Sequence, residues 1–447
     1  MGILNSRMVR TGALALTSLA ASAAAFAQEA TLEERIAALE SNFGGYVDNS
    51  YLFLIGGFLV MFMAAGFLCL EAGMVRKKNA AMQSMKNIAL FSVSGIMFWA
   101  IGYTMAYPGE WIAGGWLGIT PAAYGMGDLG SVHGDYSVGS DWFFQMVFAA
   151  TAASIVSGTV AERVKLWPFL IFVAVLTGLI YPIVASWQWG GGALSAMGFS
   201  DFAGSTLVHS TGGWAALVGA IIIGPRAGKY FGKQTNPMPA SNIPLAGLGT
   251  FILWFGWFGF NGASQLAAAG TTDGVVNINA ISQIFANTNT AACGGVLAAM
   301  ILTAILYKGK VDATMAFNGA IGGLVSITAE PLAPSMPVAL LIGAIGGVLV
   351  VLTVPLLDKL KIDDVVGAIP AHLVCGIWGT MATPISGSGA FHTQAIGVAA
   401  CAVFVSVASA IVWLILKFTV GIRVSDEDQL DGLDKTEVGI EAYPEFS

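Results

Sequence analysis

The sequence predicts an all-α polytopic membrane protein, and three observations carry this prediction. Of 447 residues, 56% are hydrophobic and only 10% are charged, whereas a soluble domain has about 25% charged residues. About eleven apolar segments are long enough to cross a bilayer, which requires about 20 helical residues each. The 57 glycines suit helices whose backbones pack closely in lipid. The composition therefore excludes an ordinary soluble domain.

The first 27 residues have the pattern of a cleaved signal peptide. Arg7 and Arg10 form a basic start, a short apolar core follows, and the small residues Ala25 and Ala27 precede Gln28 at the spacing of a cleavage site. A first transmembrane helix is the alternative, but the core is short and rich in Ala and Ser. We expect residues 28–50 to form an extracytoplasmic segment, in which "TLEERIAALESNF" has the pattern of a short amphipathic helix.

Residues 51–420 are predicted to form the transmembrane domain. The predicted spans begin near Tyr51, Lys86, Trp142, Leu166, Phe202, Leu245, Asn279, Val311, Pro337, Gly367 and Gln394. Each connection after an odd-numbered span carries Lys or Arg, and no connection after an even-numbered span does. Because positive charge favours cytoplasmic loops, this alternation predicts eleven crossings with the N-terminus outside and the C-terminus inside.

The four cysteines all fall inside apolar segments and have no Cys-x-x-Cys spacing: Cys69, Cys293, Cys375 and Cys401. We interpret them as packing residues and predict neither a disulfide framework nor a thiolate metal site. We likewise expect no metal, no cofactor and no nucleic-acid partner.

Two of the four histidines lie inside predicted spans, and their sequence contexts repeat. "DFAGSTLVHSTGG" places Asp201 eight residues before His209, and "DVVGAIPAHLVCG" places Asp364 eight residues before His372. A glycine follows each histidine by four residues, and "SIVSGTVAE" is similar to "GLVSITAE". Because five is an odd number of spans, a repeat of spans one to five as six to ten is inverted in the membrane, as in many transporters. We expect two inverted five-helix repeats around a central pore, plus an eleventh helix.

The predicted fifth span enters the membrane from outside and the tenth from inside, and this brings the two histidines to the same depth. Eight helical residues rise about 12 Å, and the hydrocarbon is about 30 Å thick, so both rings arrive near the mid-plane. Burial disfavours the charged imidazolium, so we expect His209 and His372 to form a neutral, hydrogen-bonded pair. The alternative is that they only pack helices. We interpret Asp201 and Asp364 as helix N-caps, with a direct ligand role as the alternative.

Aromatic residues gather near the outer ends of the third, fourth and sixth spans, in "DWFFQMVFAAT", "SWQWGGG" and "LWFGWFGFNGAS". Such residues often only pack or face lipid, but a ring face also attracts a small cation, and the Ser264 hydroxyl can accept its hydrogen bond. Apolar walls with two neutral imidazoles suit a cation that sheds a proton and crosses as a neutral molecule. The residues themselves indicate a small, weakly basic substrate and do not name it.

Together these motifs resemble the Amt/Mep/Rh family of ammonium transporters, in particular its Amt branch. The resemblance covers nearly the whole mature chain, including "GFLCLEAGMVRKKNA", "DWFFQMVFAATAASIVSGTVAER", "WFGWFGFNGAS" and "DDVVGAIPAHLVCGIWGT". It implies a homotrimer with one pore in each subunit. It also implies a multi-pass protein of the bacterial inner membrane that carries ammonium or ammonia, with methylammonium as an analogue, in nitrogen metabolism.

The resemblance implies roles for residues at the outer mouth of the pore. Phe148, Trp189 and Ser264 would form the outer ammonium site. Phe148 and Phe260 would be stacked rings that act as a gate. Trp189 and Ser264 favour the Amt branch over the Rh branch.

Further roles concern the pore itself. His209 and His372 would be the twin-histidine pair that lines it, and Asp201 would be a structural carboxylate near the outer site. Gln145 and Trp257 would lie beside the pore.

Residues 421–447 resemble the family's cytoplasmic regulatory tail, with matches at Gly421, Arg423, Gly432, Asp434 and Glu441–Tyr443. Many members have histidine where this chain has Val438, which departs from the family pattern. The resemblance implies that a PII-type signal protein binds the inner face. The alternative is that the tail is a solvated acidic extension.

The resulting hypothesis is an ammonium transporter and not an enzyme. Ammonium is captured outside and loses its proton, and ammonia passes along the histidine pair, with or without separate proton transfer. The rivals are an ammonium sensor signalling through a PII-type partner, an Rh-like gas channel and an intramembrane metalloenzyme. The metalloenzyme lacks a third convergent ligand, because both aspartates lie about 12 Å from the histidines along their helices.

Overall fold

The computed structural model describes residues 32–119 and 134–446 of the chain. The predicted signal peptide, residues 1–27, lies outside the described residues. Eleven helices follow one another in the order of the predicted spans: α1 (Leu32–Met74), α2 (Lys77–Ala106), α3 (Val138–Thr159), α4 (Leu166–Ser186), α5 (Ser205–Ile223), α6 (Ile243–Gln265), α7 (Asn277–Leu306), α8 (Ala313–Thr328), α9 (Met336–Lys359), α10 (369–386) and α11 (Phe391–Thr419). A short α12 (Asp426–Asp431) lies in the tail.

Nine of these helices are long and apolar enough to cross a membrane, counted over the described residues. The exceptions among the first eleven are α8, with 16 residues, and α10, in which a π-helical turn and a 3₁₀ turn flank the α-helix Cys375–Ala382. The chain is thus a mostly helical, multi-pass membrane protein, as the composition predicts. The number of crossings and their orientation stay predictions.

Several helices contain a wider or a tighter turn. The π-helical turns are Phe98–Gly102, Leu176–Ile180, Ser205–Ser210, Ile369–Val374 and Asp434–Val438. The 3₁₀ turns are Lys77–Asn79, Ala263–Gln265, Thr383–Ser386 and Pro444–Phe446. Within the described ranges, short strands form three hairpins: β1 (Glu110–Trp111) with β2 (Gly118–Ile119), β3 (Tyr230–Phe231) with β4 (Gln234–Thr235), and β5 (Thr271–Thr272) with β6 (Val275–Val276). A one-turn helix, Ala193–Ala196, follows α4.

Two boundaries differ from the sequence-based expectation. Residues 32–43 are helical, as the sequence predicts, but they do not form a short helix of their own, because α1 is continuous from Leu32 to Met74. The second helix begins at Lys77 instead of Lys86. Lys86 is 1% exposed, and its Nζ donates to the Ser157 carbonyl at 2.9 Å and lies 5.0 Å from the Phe169 ring centroid. Because these partners compensate the buried ammonium group, Lys86 can lie inside α2 and does not mark the end of the helix.

The two helices that carry the spanning histidines are in close contact. A Cβ added at Gly213 in α5 would lie 2.6 Å from the Leu373 Cβ, and one added at Gly376 in α10 would lie 2.4 Å from the Ser205 carbonyl oxygen. Only glycine allows backbones to approach this closely. The glycine that follows each histidine by four residues therefore has a packing role. In a similar way, α1 packs along α6, the first helix of the other predicted repeat.

Ion pairs join the helix ends on the side of the basic loops. Glu162 pairs with Arg76 at 2.5 Å and with Arg226 at 3.3 Å, and Arg226 donates to both Asp363 oxygens at 2.8 and 2.9 Å. Burial alone would raise the pKa of Asp363, but the nearby Arg163 charge and the Arg226 hydrogen bonds outweigh burial and lower it. Asp363 therefore stays ionised at neutral pH.

The described part of the tail is folded onto these same helix ends. Asp434 accepts the backbone N–H groups of Ala81 at 3.1 Å and Met82 at 2.8 Å, which belong to the first turns of α2. Glu437 accepts the N–H of Leu166, the first residue of α4, at 3.1 Å. Both carboxylates lie at helix N-termini, where negative charge is stabilising. The segment is therefore docked and is not a freely solvated extension.

Candidate functional site

His209 and His372 meet in the interior of the helix bundle. Their Nδ1 atoms lie 3.2 Å apart and their ring centroids are 5.2 Å apart. His209 is 0% exposed and His372 is 2% exposed. Because both facing atoms are Nδ1, one neutral ring donates and the other accepts. The Nε2 atom of His209 is also buried and has no partner among the described residues. A buried polar atom without a partner is costly, so this nitrogen favours a small hydrogen-bonding molecule beside it.

A buried carboxylate organises the start of α5. Asp201 is 0% exposed, and its Oδ1 accepts the N–H groups of Gly204 and Ser205 at 3.1 and 2.8 Å. Its Oδ2 accepts those of Thr206 and Leu207 at 2.8 and 2.9 Å. The free donors of a helix N-terminus are thus all satisfied by one side chain.

The counterpart in α10 is built in the same way. Asp364 accepts the Ile369 N–H at 2.7 Å and the Thr159 hydroxyl at 3.0 Å. Each histidine then lies in a π-helical first turn, at residues 205–210 and 369–374. Such turns are rare in proteins as a whole, and those that occur are often found at functional sites. The matched aspartate, π-helical turn and histidine give the starts of α5 and α10 equivalent geometry.

A tryptophan holds the His209 ring in place. The Trp257 ring stacks on the His209 ring with centroids 4.9 Å apart and an interplanar angle of 19°. The Trp257 Nε1–H donates to the Thr328 hydroxyl at 2.8 Å. On the other side of the pair, the Phe67 ring lies 6.0 Å from the His372 ring. The two imidazoles are therefore packed between aromatic faces.

Two stacked phenyl rings lie next to the histidine pair. Phe148 and Phe260 have ring centroids 4.0 Å apart at an interplanar angle of 19°, and they are 1% and 0% exposed. The Phe260 ring also lies 5.1 Å from the His209 ring. The stack therefore separates the imidazoles from the cavity described next.

A cavity of about 150 Å³ lies on the other side of this stack. Its lining residues are Tyr107, Tyr136, Asp141, Phe144, Gln145, Phe148, Trp189, Phe202, Ser264 and Leu266. The Trp189 ring is 6.1 Å from the Phe148 ring, and its Nε1–H donates to the Asp201 carbonyl at 3.1 Å. The Ser264 hydroxyl donates to the Phe260 carbonyl at 2.8 Å, which leaves its oxygen free to accept.

The structure brings the sequence-identified residues into one row. Phe148, Trp189, Ser264 and Gln145 line this cavity, called the outer cavity after the side of the membrane predicted for it, whereas Asp201 lies behind Trp189. A second cavity of about 150 Å³ lies beyond the pair, near the basic loops, and its lining includes Met74, Arg226, Asn318, Asp364, Gly367 and Pro370. The row therefore consists of a cavity, a ring stack, two imidazoles and a second cavity.

The sequence analysis did not single out five residues of the outer cavity: Tyr107, Tyr136, Phe202, Leu266 and Asp141. The first four come from loops or helix ends and carry no spacing signal that points to a cavity. Asp141 had a signal, because an acidic residue begins the motif "DWFFQ". At the start of a predicted span, however, such a residue is typical of a helix cap.

Known proteins resemble this chain over most of its length. Residues 51–443 match the sequence model of the Ammonium Transporter Family. "Ammonium transporter Amt2" of Archaeoglobus fulgidus is 42% identical over 431 residues, which cover 88% of this chain and 87% of that protein. "Ammonium transporter" of Bacillus subtilis is 34% identical and covers 89% of this chain and 98% of that protein.

Solved structures have the same fold. The structure named "Sensor Amt Protein" has a TM-score of 0.81 at 33% identity, and the match covers 88% of this chain and 99% of that one. Mep2 of Saccharomyces cerevisiae, at 24% identity, has a TM-score of 0.74 over 85% of this chain and 88% of that one. The family match over most of the chain and these relatives lead to one conclusion: the chain belongs to the Ammonium Transporter Family.

Proposed function

We propose that the protein moves ammonium across a bacterial inner membrane by binding NH₄⁺ in the outer cavity and conducting NH₃ past the histidine pair. The observation that carries this proposal is the 3.2 Å contact between His209 and His372, buried behind the Phe148 and Phe260 stack. Its relatives named as ammonium transporters support the choice of substrate.

The outer cavity offers the groups that a small cation with N–H donors requires. The faces of Phe148 and Trp189 attract positive charge. The Ser264 oxygen accepts a hydrogen bond, since its own proton is directed to the Phe260 carbonyl. Ammonium matches this set because it presents both a charge and donors. Gln145 adds a second polar group to the same wall.

Deprotonation takes place before the stack, because a charge is disfavoured inside an apolar, fully buried passage. The proton leaves for water at the outer mouth, and neutral NH₃ passes Phe148 and Phe260 and reaches the imidazoles. There it accepts from or donates to ring nitrogens such as His209 Nε2. The proposal covers conduction with or without a separate path for the proton. Potassium has no proton to release, so it would have to enter charged and dehydrated.

The membrane arrangement belongs to the same proposal. Residues 51–420 form the transmembrane domain with eleven crossings, N-terminus outside and C-terminus inside, as two inverted five-helix repeats around the pore plus an eleventh helix. It is supported by the alternation of basic loops and by the matched aspartate, π-helical turn and histidine in α5 and α10. Removal of residues 1–27, with residues 28–50 as an extracytoplasmic segment, completes it.

Assembly and regulation form a further part of the proposal. Three subunits associate, each with its own pore, and the cytoplasmic tail at 421–447 responds to a PII-type signal protein. The docked positions of Asp434 and Glu437 at the N-termini of α2 and α4 support a tail that communicates with the helices. In this arrangement, the twin histidines and the outer site carry transport, while the tail adjusts it.

Uptake of labelled methylammonium into proteoliposomes tests the proposal. We expect saturable uptake that protein-free liposomes lack. A sensor is the second candidate function, because one similar structure is named "Sensor Amt Protein". If the reconstituted protein bound ammonium but produced no flux above that of protein-free liposomes, the sensor would be favoured and transport would be rejected.

A further inference from the structure

The outer cavity contains a carboxylate that the aromatic and serine groups do not account for. Asp141 lies in the first turn of α3, is 6% exposed, and lines the cavity together with Phe148, Trp189 and Ser264. We propose that Asp141 is the anionic partner that draws ammonium into this cavity and sets the apparent affinity for it. The assignment rests on the proposed transport function and adds a residue to its outer site.

Asp141 has few partners for a buried carboxylate. Its Oδ2 accepts the Tyr103 hydroxyl at 2.6 Å, and its Oδ1 lies 3.4 Å from the Gln145 amide nitrogen, a long contact. In the described residues, no Lys, Arg or His nitrogen pairs with it within 4.0 Å. A buried charge normally has a countercharge or a full set of donors.

Three other buried carboxylates have more or stronger partners than Asp141. Asp363 is held by Arg226 through two hydrogen bonds, and Glu162 pairs with two arginines. Asp201 accepts four backbone N–H groups. Relative to these, Asp141 has neither a positive partner nor a full set of donors among the described residues, although it lines the cavity.

A helix-capping role does not explain Asp141. The cap of α3 is Ser137, whose hydroxyl oxygen accepts the Ser140 N–H at 3.2 Å. Each of the two hydrogen bonds that Asp141 accepts comes from a side chain, and none of the described backbone N–H groups donates to it. The Asp141 carboxylate therefore does not cap α3, although its position in the sequence indicates a cap.

Ammonium fits the remaining capacity of this carboxylate. It is a single positive charge with four N–H donors, so it can donate to Asp141 and to the Ser264 oxygen while contacting the faces of Phe148 and Trp189. The carboxylate supplies an attraction that acts before the aromatic contacts form. Because neutral NH₃ lacks the charge, it gains no such attraction, so Asp141 favours binding of the cation and not passage of the neutral molecule.

Kinetics of methylammonium uptake in proteoliposomes test the assignment. We expect Asp141→Asn to raise KM about tenfold, the change produced by a loss of about 1.4 kcal/mol, with Vmax within about twofold of the parent value. Glu110→Gln is the matched control, since Glu110 is an exposed acidic residue of the connection that leads to α3. We expect its KM to equal that of the parent.

Tyr103→Phe separates attraction from positioning. This variant keeps the carboxylate and removes the phenol that competes for it, so we expect a KM at or below the parent value. If Asp141 only held Tyr103 in place, both variants would raise KM to the same extent, which would overturn the assignment. A parental KM in Asp141→Asn with normal Vmax would overturn it as well.

Folding of the variants is monitored by size-exclusion chromatography in detergent. If Asp141→Asn does not fold, Tyr103→Phe decides alone: a KM at or below the parent value supports the assignment, and a raised KM contradicts it. Absence of flux in the parent protein would instead reject the transport function itself, so the two failures are distinguishable.

Discussion

His209 Nδ1 lies 3.2 Å from His372 Nδ1, although 163 residues separate them in the sequence. Two helices make this contact, and each begins with an aspartate, a π-helical turn and a histidine, with a glycine four residues later. Because the two helices begin in the same way, the Nδ1 atoms of the two histidines face each other. A neutral pair satisfies such a contact and a doubly charged pair does not, which suits a passage for a neutral molecule.

The Trp257 indole positions the His209 ring through its hydrogen bond to Thr328. We expect Trp257→Phe to keep most of the stacking but lose this bond, and to lower methylammonium flux about fivefold, in line with about 1 kcal/mol for one hydrogen bond. Thr328→Val removes the other partner and should lower the flux to a similar extent. If the double variant lost the sum of both effects, the bond would not be the cause.

The two matched aspartates differ in how many donors they satisfy. Asp201 accepts four backbone N–H groups within 3.1 Å, whereas Asp364 accepts one backbone N–H at 2.7 Å and one hydroxyl at 3.0 Å, with the Ala368 N–H as a weaker third partner. We expect Asp201→Asn to cost about 3 kcal/mol, because an amide N–H would face N–H donors, and Asp364→Asn to cost about half as much. Thermal unfolding in detergent measures both. Equal losses would contradict the donor-based explanation.

Acid should weaken the ion pairs around Asp363 in a defined pH range. Its pKa is lowered in the folded protein, so its contribution to stability is present above the unfolded value of about 3.9 and is lost as the pH falls below it. We expect Asp363→Asn to melt at a lower temperature than the parent at pH 7 and equally so at pH 5. The difference should shrink only below about pH 4. If the difference in melting temperature disappeared between pH 7 and pH 5, a group other than Asp363 would be responsible for it.

Docking of the tail depends on Asp434 at the start of α2. Asp434→Ala removes the acceptor for Ala81 and Met82. We expect trypsin to cleave after the exposed Lys435 about tenfold faster, because a loss of about 1.4 kcal/mol raises the undocked population tenfold. Asp431→Ala, at an exposed position of α12, is the control and should leave the rate unchanged. Equal acceleration in both variants would mean that Asp434 does not hold the tail.

The family and the multi-pass helical class are predictable from the sequence, and both are confirmed by the comparisons. They rest on long apolar segments and on extended motifs, which are local features. The matching positions of His209 and His372 are also visible as a repeat. Their atomic contact is not, because it depends on how α5 and α10 cross.

The differences arise where distant residues satisfy a charge. Lys86 looks like the end of a span, yet the Ser157 carbonyl from α3 and the Phe169 ring from α4 allow it to lie inside α2. Asp141 looks like a helix cap, but Ser137 takes that role and Asp141 lines a cavity with residues from other helices. Sequence patterns report periodicity and caps, and they carry no signal for partners that only the tertiary fold brings near.

The most direct test of the histidine pair is a comparison of methylammonium and potassium flux through the parent protein and its His209→Ala variant in proteoliposomes. The parent should carry methylammonium and exclude potassium. Loss of the ring removes a hydrogen-bonding nitrogen and opens the passage, so the variant should either lose methylammonium flux at least about tenfold, which corresponds to about 1.4 kcal/mol, or admit potassium. A variant that carried methylammonium as fast as the parent and still excluded potassium would contradict the account.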